Sequence, residues 1–339
     1  MRTLSKIDTI KEKILADIQS GLLKPGDKLY SRHQFMRRYK CSRGSIDKAV
    51  CELERDGVLY SRQGAGTFVA EKQSSSGEFR KIYLISEFTP MTAFSPGSLA
   101  AEIQHYVDCS LCRPRDINIT LQKIASRGNA VIWERPDYSQ MMIMDYLRNA
   151  GVAQLIIHRI YGDYDYVTTD SRSGIKEGLE WLTGHAGKNI AYVSSKAQTK
   201  YPYIAERQLE FYELAIRMKL RVIPDMLFID SDRYNCGYKE IEKIANALFD
   251  SKNPVKGVYL DNFLMAEPLI AMAEVRGMLT GRDFHMLVFD YAENLAGTPG
   301  VAMINQDYEG FNGKVIEWIL QENRKPMHEK LLPWLIFKE

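Results

Sequence analysis

From Lys81 onward the chain repeats one pattern, an apolar run of strand length followed by a helical stretch. The runs are Ile82–Ile85, Ala130–Trp133, Gln154–Ile157, Ile190–Val193, Leu227–Ile229, Gly257–Tyr259 and Met286–Phe289. They lack the polar alternation of a half-solvated strand, so both faces of each must be covered. Amphipathic segments such as Ala205–Met218 and Tyr238–Phe249 supply the cover. Buried strands alternating with helices imply an α/β fold with parallel sheets. In such sheets ligands bind beyond the carboxyl ends of the strands, so the residues just after each run are the first to inspect.

The first 70 residues have another texture. Ile10, Ile14 and Ile18 recur at four-residue steps in a first helix, with Gly21 and the turn Pro25-Gly26-Asp27 behind it. Ser31 caps a second short helix reaching to about Tyr39, and Ser42 caps a third from Arg43 to about Asp56, which Gly57 stops. Val58–Ser61 and Thr67–Ala70 flank Gln63-Gly64-Ala65-Gly66 as a hairpin. Three helices and a hairpin make a winged helix-turn-helix. The expected division is therefore 1–71 for this head, 72–80 for a Ser-rich linker, and 81–339 for a body of two α/β lobes.

Charge supports the division. The chain carries a net +2, but residues 1–72 hold 15 Lys and Arg against 9 Asp and Glu, which leaves the body acidic. A basic head on an acidic body fits a polyanion partner. No run of about 18 apolar residues exists to span a membrane, and Met1–Lys13 lacks the apolar core of a signal peptide. The five cysteines are odd in number and scattered, as in a reduced, cytoplasmic setting. Cys109 and Cys112 have two residues between them and no second pair to complete a metal site. Neither a metal nor a cofactor is expected. No phosphate-cradling glycine loop with its lysine and no nucleophile motif is present, so no enzymatic activity is expected.

The helix-turn-helix presents the start of its last helix to the DNA major groove. Here that segment is Ser42-Arg43-Gly44-Ser45-Ile46-Asp47-Lys48. Arg43 suits a guanine edge or a phosphate, and Ser42 and Ser45 suit phosphate. Gly64 and Gly66 let the wing approach the backbone of the duplex, and Gln63 at its tip reaches toward the minor groove. The stretches "SGLLKPGDKL", "CSRGSIDKAVCELERDGVL" and "RQGAGTFV" resemble the GntR family of bacterial regulators from about Ile10 to Val69. That resemblance implies DNA contacts from Arg43, and from Arg32, His33 and Lys48. The chain departs from the family at Tyr30-Ser31-Arg32-His33, where Pro-Ser-Glu-Arg is usual, and at Asp47, where an arginine is common. A carboxylate at Asp47 repels phosphate but accepts from a cytosine amine, which makes it a specificity candidate.

The body resembles the periplasmic-binding-protein-like effector domain of lac-repressor-type regulators. The stretches that carry this include "YVTTDSRSGIKEGLEWLTGHAGKNIAYVSS", "GVYLDNFLMAEPLIAMAEVRGML" and "TPGVAMINQDYEGFNGKVIEWIL". The combined head and body are similar to the arabinose-repressor type of regulator. The resemblance implies a cleft between two lobes, with Arg207 as the effector-binding arginine, Asp261-Asn262 as an altered Asn-Asp pair, and Gln306 as a late cleft residue. Asp290 directly follows the run Met286–Phe289, where a carboxylate could hold two adjacent hydroxyls. Glu87 and Phe88 after the first run, Arg135 after the second, and Asp232 or Tyr234 are further candidates for the cleft wall. The expected function is a homodimeric regulator of transcription, of the repressing kind, that binds double-stranded operator DNA and is controlled by a sugar or sugar derivative. The alternative keeps the DNA role and gives the cleft a purine or an amino acid. An enzyme fused to such a head would need a longer chain and a cofactor lysine motif.

Overall fold

The computed structural model describes residues 6–19, 22–24, 26–30, 34–36, 41–55, 58–62, 66–69, 79–87, 98–126, 128–231, 238–250, 255–322 and 324–338. Arg32, His33, Gln63, Gly64, Phe88, Asp232 and Tyr234 lie outside these residues.

The head is built as its periodicity requires. Helix α1 (Lys6–Gln19) turns Ile10 and Ile14 inward, and helix α2 (Arg43–Arg55) answers with Ile46, Ala49, Val50 and Leu53. Phe35, in the helical turn at 34–36, fills the space between them and is fully buried. Lys11 reaches Glu52 at 3.0 Å across the α1–α2 contact. The wing strands β1 (Leu59–Arg62) and β2 (Gly66–Val69) pair antiparallel, with Tyr60 stacked on Phe68. The Gly26-Asp27 turn is sewn to this wing, since Gly26 N–H donates to Val69 O at 3.0 Å and Leu29 N–H to Thr67 O at 2.8 Å.

Lobe 1 contains a six-stranded sheet in the order β13-β7-β6-β5-β3-β4, with every neighbouring pair parallel. Its strands are β3 (Lys81–Ile85), β4 (Asp108–Cys112), β5 (Asn129–Glu134), β6 (Ala153–Ile157), β7 (Asp165–Thr169) and, from far along the chain, β13 (His328–Leu331). Helices α3 (Leu99–Gln104) and α10 (Tyr308–Leu320) pack on one face through Ile103, Phe311, Val315 and Trp318. Helices α4 (Ile117–Ile124) and α5 (Met141–Asn149) pack on the other through Ile117, Ile124, Met144 and Leu147. Cys109 and Cys112 fall on opposite faces, because side chains alternate along a strand and their spacing is odd. Phe79 and Arg80, which composition assigns to the linker, belong to this lobe: Phe79 packs on Trp318, and Arg80 N–H donates to Gly128 O.

Lobe 2 has the order β14-β12-β11-β10-β8-β9, parallel except for the edge strand β14 (Trp334–Phe337). The other strands are β8 (Ile190–Ser195), β9 (Leu227–Ser231), β10 (Gly257–Leu260), β11 (His285–Phe289) and β12 (Val301–Asn305). Helices α6 (Ser171–Ala186) and α7 (Pro202–Met218) cover one face, and α8 (Tyr238–Phe249) and α9 (Ala266–Val275) the other. Gly174 lets α6 sit close, since a Cβ there would lie 2.6 Å from Pro333 and 2.8 Å from Ile304.

The chain passes between the lobes three times, at Thr169–Ser171, Asn305–Tyr308 and Leu331–Trp334. The crossings are bonded side by side. Thr169 Oγ1 donates to Gln306 Oε1 at 2.5 Å, and Asp170 N–H donates to Leu331 O at 2.8 Å. Asp170 and Asp307 cap α6 and α10 as the chain enters each lobe.

Candidate functional site

The carboxyl ends of both sheets face each other across a cleft of about 580 Å³. Of the expected residues, Glu87 and Arg135 line it from lobe 1, Arg207 and Asp290 from lobe 2, and Gln306 from a crossing. Arg207, near the start of α7, is buried. Its guanidinium lies over Phe289, 3.5 Å from the ring centroid, donates to Asp261 O at 3.0 Å, and stands 3.7 Å from Asp290 Oδ2. Gln306 Nε2 donates to Asp290 Oδ1. Asp290 is thus held by one neighbour on each carboxylate oxygen.

Asp261 and Asn262 take another place. Both are buried behind the wall: Ser194 donates to the Asp261 carboxylate, and Asn262 Nδ2 donates to Asp261 Oδ1 at 2.9 Å. Asn262 Oδ1 accepts from Leu264 N–H at 3.1 Å, capping the turn at Phe263–Met265. Their polar atoms are engaged in supporting Arg207 and the turn, and Phe263 is the residue of this segment that lines the cleft.

Sequence reasoning missed the pair after β6. His158 and Arg159 line the cleft; Arg159 is buried and His158 is half-buried. The His158 ring packs against Phe311, 4.3 Å between centroids. Burial, and then the charges of Arg135, Arg159 and Arg207, hold its pKa well below the usual histidine range. Arg159 is only 6% exposed. Its Nη1 donates to His158 O at 2.5 Å, its guanidinium lies 4.5 Å from the centroid of the Tyr203 ring, and its Nε has no hydrogen-bond partner. The strand-end rule that picked out Arg135 and Asp290 would have found both residues had it been applied to Gln154–Ile157. Tyr201, Tyr203 and Tyr308 add aromatic wall. Glu210 accepts from Ser171 Oγ at 2.6 Å, and burial holds its carboxyl above the usual range.

Backbone strain gathers in the same place. Among the described residues, four other than glycine have positive φ: Arg135 (52°), His158 (66°), Lys219 (56°) and Asp290 (75°). Lys219 ends helix α7, where a left-handed residue is ordinary. The other three each follow a strand of the cleft, where strain is retained when it aims a side chain.

In the head, Ser42 caps α2 by accepting from Ser45 N–H at 3.2 Å. Ser42, Arg43 and Lys48 are exposed on the first turns, opposite the buried Ile46 and Ala49. Asp47 stands 3.8 Å from Arg43 in an i,i+4 pair. Gly66 opens β2 at φ 116°, and a Cβ there would meet Lys28 at 2.7 Å. Among the described residues no helix is long and apolar enough to cross a membrane.

These features define a winged-helix head on a two-lobed, periplasmic-binding-protein-like body. Residues 6–69 match the family described as bacterial regulatory proteins, gntR family, so the head is a GntR-type domain. Over 69 residues the chain is 41% identical to the arabinose metabolism transcriptional repressor of Geobacillus stearothermophilus, a match spanning 20% of this chain and 19% of that one. The chain spans about a fifth of the length of the first curated relatives it matches. The body is similar in fold to a regulatory protein of the LacI family from Chloroflexus aggregans, with a TM-score of 0.63 and 17% identity over 76% of this chain and 96% of that one. A transcriptional regulator CelR–cellobiose complex aligns over 87% of this chain and 89% of its own, with a TM-score of 0.59 and 16% identity. At such identities these structures speak for the fold alone.

Proposed function

We propose that this chain is a sequence-specific DNA-binding regulator of transcription, of the repressing kind, whose hold on DNA is set by a sugar or sugar derivative bound between the lobes. One observation carries the reading: a winged helix with an exposed recognition-helix start is joined to a cleft walled by the strand ends of two parallel sheets. A ligand that touches both walls binds their closed arrangement better than the open one, and so shifts the population between them. Coupled to two heads in a homodimer, that shift changes the fit to two half-sites. The cleft offers what a sugar needs, with the Arg207–Asp290 pair and Gln306 for hydroxyls and Tyr203, Tyr308 and Phe263 for the apolar ring faces. A repressor of arabinose metabolism among the relatives and a cellobiose complex among the structures are in keeping with that chemistry. The regulator works in the cytoplasm, on operator DNA, without catalysing a reaction.

The test is fluorescence anisotropy with the full chain and the DNA upstream of its own gene, titrated with arabinose, cellobiose, glucose and sugar phosphates. Saturable DNA binding that a sugar alters supports the proposal. Release by a purine or an amino acid alone assigns the other effector class. Turnover of any compound in the panel would show an enzyme.

A further inference from the structure

The cleft contains a buried cation without an anion. Arg159 is 94% buried, since it is only 6% exposed, yet among the described residues no carboxylate lies within ion-pair distance of it. Its one hydrogen bond goes to the carbonyl of the preceding residue, and its Nε meets nothing. The nearby cations do not help. Arg207 has its own carboxylate in Asp290 at 3.7 Å, and Arg135 stands 4.0 Å from Glu134, which already accepts from Ser86 Oγ at 2.6 Å. Glu206 and Glu210 line the opposite wall. Glu206 acts on Arg159 only from a distance, and Glu210 is engaged by Ser171.

We propose that the effector carries an anionic oxygen group, a phosphate or a carboxylate, and that Arg159 is its counter-ion, with Arg135 assisting from the same wall. The inference rests on the sugar-effector reading and narrows it to sugar phosphates and sugar acids. Three observations converge. A guanidinium taken from water without a partner costs stability unless another group supplies the charge. Its planar fork matches two oxygens of a phosphate or carboxylate. The strained His158, at φ 66°, is the residue that sets Arg159 at the strand end, and strain of this kind is kept where a side chain must be aimed. Burial first, and Arg207 and Arg135 besides, bring the Arg159 pKa down to about 10, so the group remains charged at neutral pH. His158, held neutral, leaves the arginines as the cations of this wall.

The experiment is a thermal-shift and calorimetric titration of the full chain with inorganic phosphate, glucose, glucose 6-phosphate, glucuronate, arabinose and arabinose 5-phosphate. The anionic probes should stabilise the protein saturably and more strongly than their neutral counterparts. Arg159→Gln should weaken the anionic probes at least tenfold more than it weakens neutral sugars, which lose only the shared contact with Tyr203, while Arg159→Lys should retain part of the anion affinity. Without ligand, Arg159→Gln should melt no lower than the parent, because it removes an uncompensated buried charge. Preference for glucose 6-phosphate and inorganic phosphate over glucuronate assigns a phosphate, and the reverse assigns a sugar acid. Neutral sugars binding as tightly as their anionic counterparts, or unchanged anion affinity in Arg159→Gln, overturns the inference and leaves the sugar reading standing. Inorganic phosphate binding as tightly as every sugar phosphate would keep the anion site and remove the sugar. If Arg159→Gln does not fold, the parent titration and Arg159→Lys still decide, and no response of the parent to any anion overturns the proposal.

Discussion

Arg159 of lobe 1 lies over the ring of Tyr203 of lobe 2, 4.5 Å from guanidinium carbon to ring centroid, so the two walls of the cleft already touch through a cation and an aromatic face. Arg207 approaches the same ring at 5.0 Å. Tyr203 therefore sits between a guanidinium from each lobe, in position to favour the closed arrangement.

Replacing Tyr203 by alanine should weaken whatever ligand the cleft takes by about 2- to 30-fold, the worth of a cation–π contact of roughly 0.5–2 kcal/mol. Calorimetry measures the affinity. Small-angle scattering should show the ligand-free variant more open than the parent. Equal affinity and equal dimensions would mean that the contact does not hold the lobes.

Asp290 separates binding from folding. Asp290→Ala removes the partner of Arg207 and Gln306 and should weaken ligand binding by roughly 1–3 kcal/mol, the cost of leaving buried polar groups unsatisfied. Its backbone, at φ 75°, makes alanine a strained choice, whereas asparagine tolerates that region. Asp290→Asn should therefore fold like the parent and still lose affinity. Operator binding without ligand should persist in both variants, as read by gel shift. A variant that loses DNA binding as well would mark Asp290 as a folding residue.

His158 makes stability depend on acidity. Burial keeps it neutral in the folded chain, whereas in the unfolded chain it takes a proton near its ordinary value of 6.5. Below that pH the unfolded state binds more protons, so this contribution lowers stability as pH falls, by at most about 1.4 kcal/mol per pH unit, until the folded-state pKa is reached. Denaturant melts between about pH 7.5 and 5.5, one unit either side of the ordinary histidine value, measure it. His158→Asn, which suits the positive φ, should flatten that dependence. An unchanged slope would place its source elsewhere.

At the head, Arg43→Ala should cost about 1–3 kcal/mol of operator affinity and relax selectivity at one position per half-site if Arg43 reads a base. Asp47 stands 3.8 Å from Arg43, and on the proposed function its carboxylate would repel DNA phosphates. Asp47→Asn should therefore strengthen binding to unrelated DNA and steepen its salt dependence by about one unit of slope. Gel shifts against single-base operator variants at several salt concentrations read both effects.

The strands legible in the sequence were those buried on both faces, such as Ala130–Trp133 and Met286–Phe289. Three others are disguised by their positions. β4 reads Asp-Cys-Ser-Leu-Cys because it is an edge, β13 reads His-Glu-Lys-Leu for the same reason, and β7 carries Asp165, Thr168 and Thr169 because it runs into a crossing. β12, Val301–Asn305, is buried and apolar but short, and it stood inside a stretch read for its resemblance rather than its pattern. In the cleft, Arg135, Arg207, Asp290 and Gln306 were legible from strand ends and from family resemblance. Asp261 and Asn262 shared those signals, yet tertiary packing turns their side chains inward, a choice no local pattern records. Tyr203 and Tyr308 meet the cleft only because α7 and α10 begin at its rim, which depends on the three crossings.

The interleaving of the lobes also fixes a birth order. Among the described residues the head's core uses nothing beyond Val69, so it can fold while most of the chain is still unmade. Lobe 1 cannot, because its sheet lacks β13 and its face lacks α10 until Leu331 has been synthesised. Lobe 2 waits for β14, which ends at Phe337. A nascent chain on the ribosome thus carries a finished head well before either wall of the cleft is complete. A message cut ahead of Tyr308 would yield a folded head with no cleft behind it, and on the proposed function its hold on DNA would answer to no ligand.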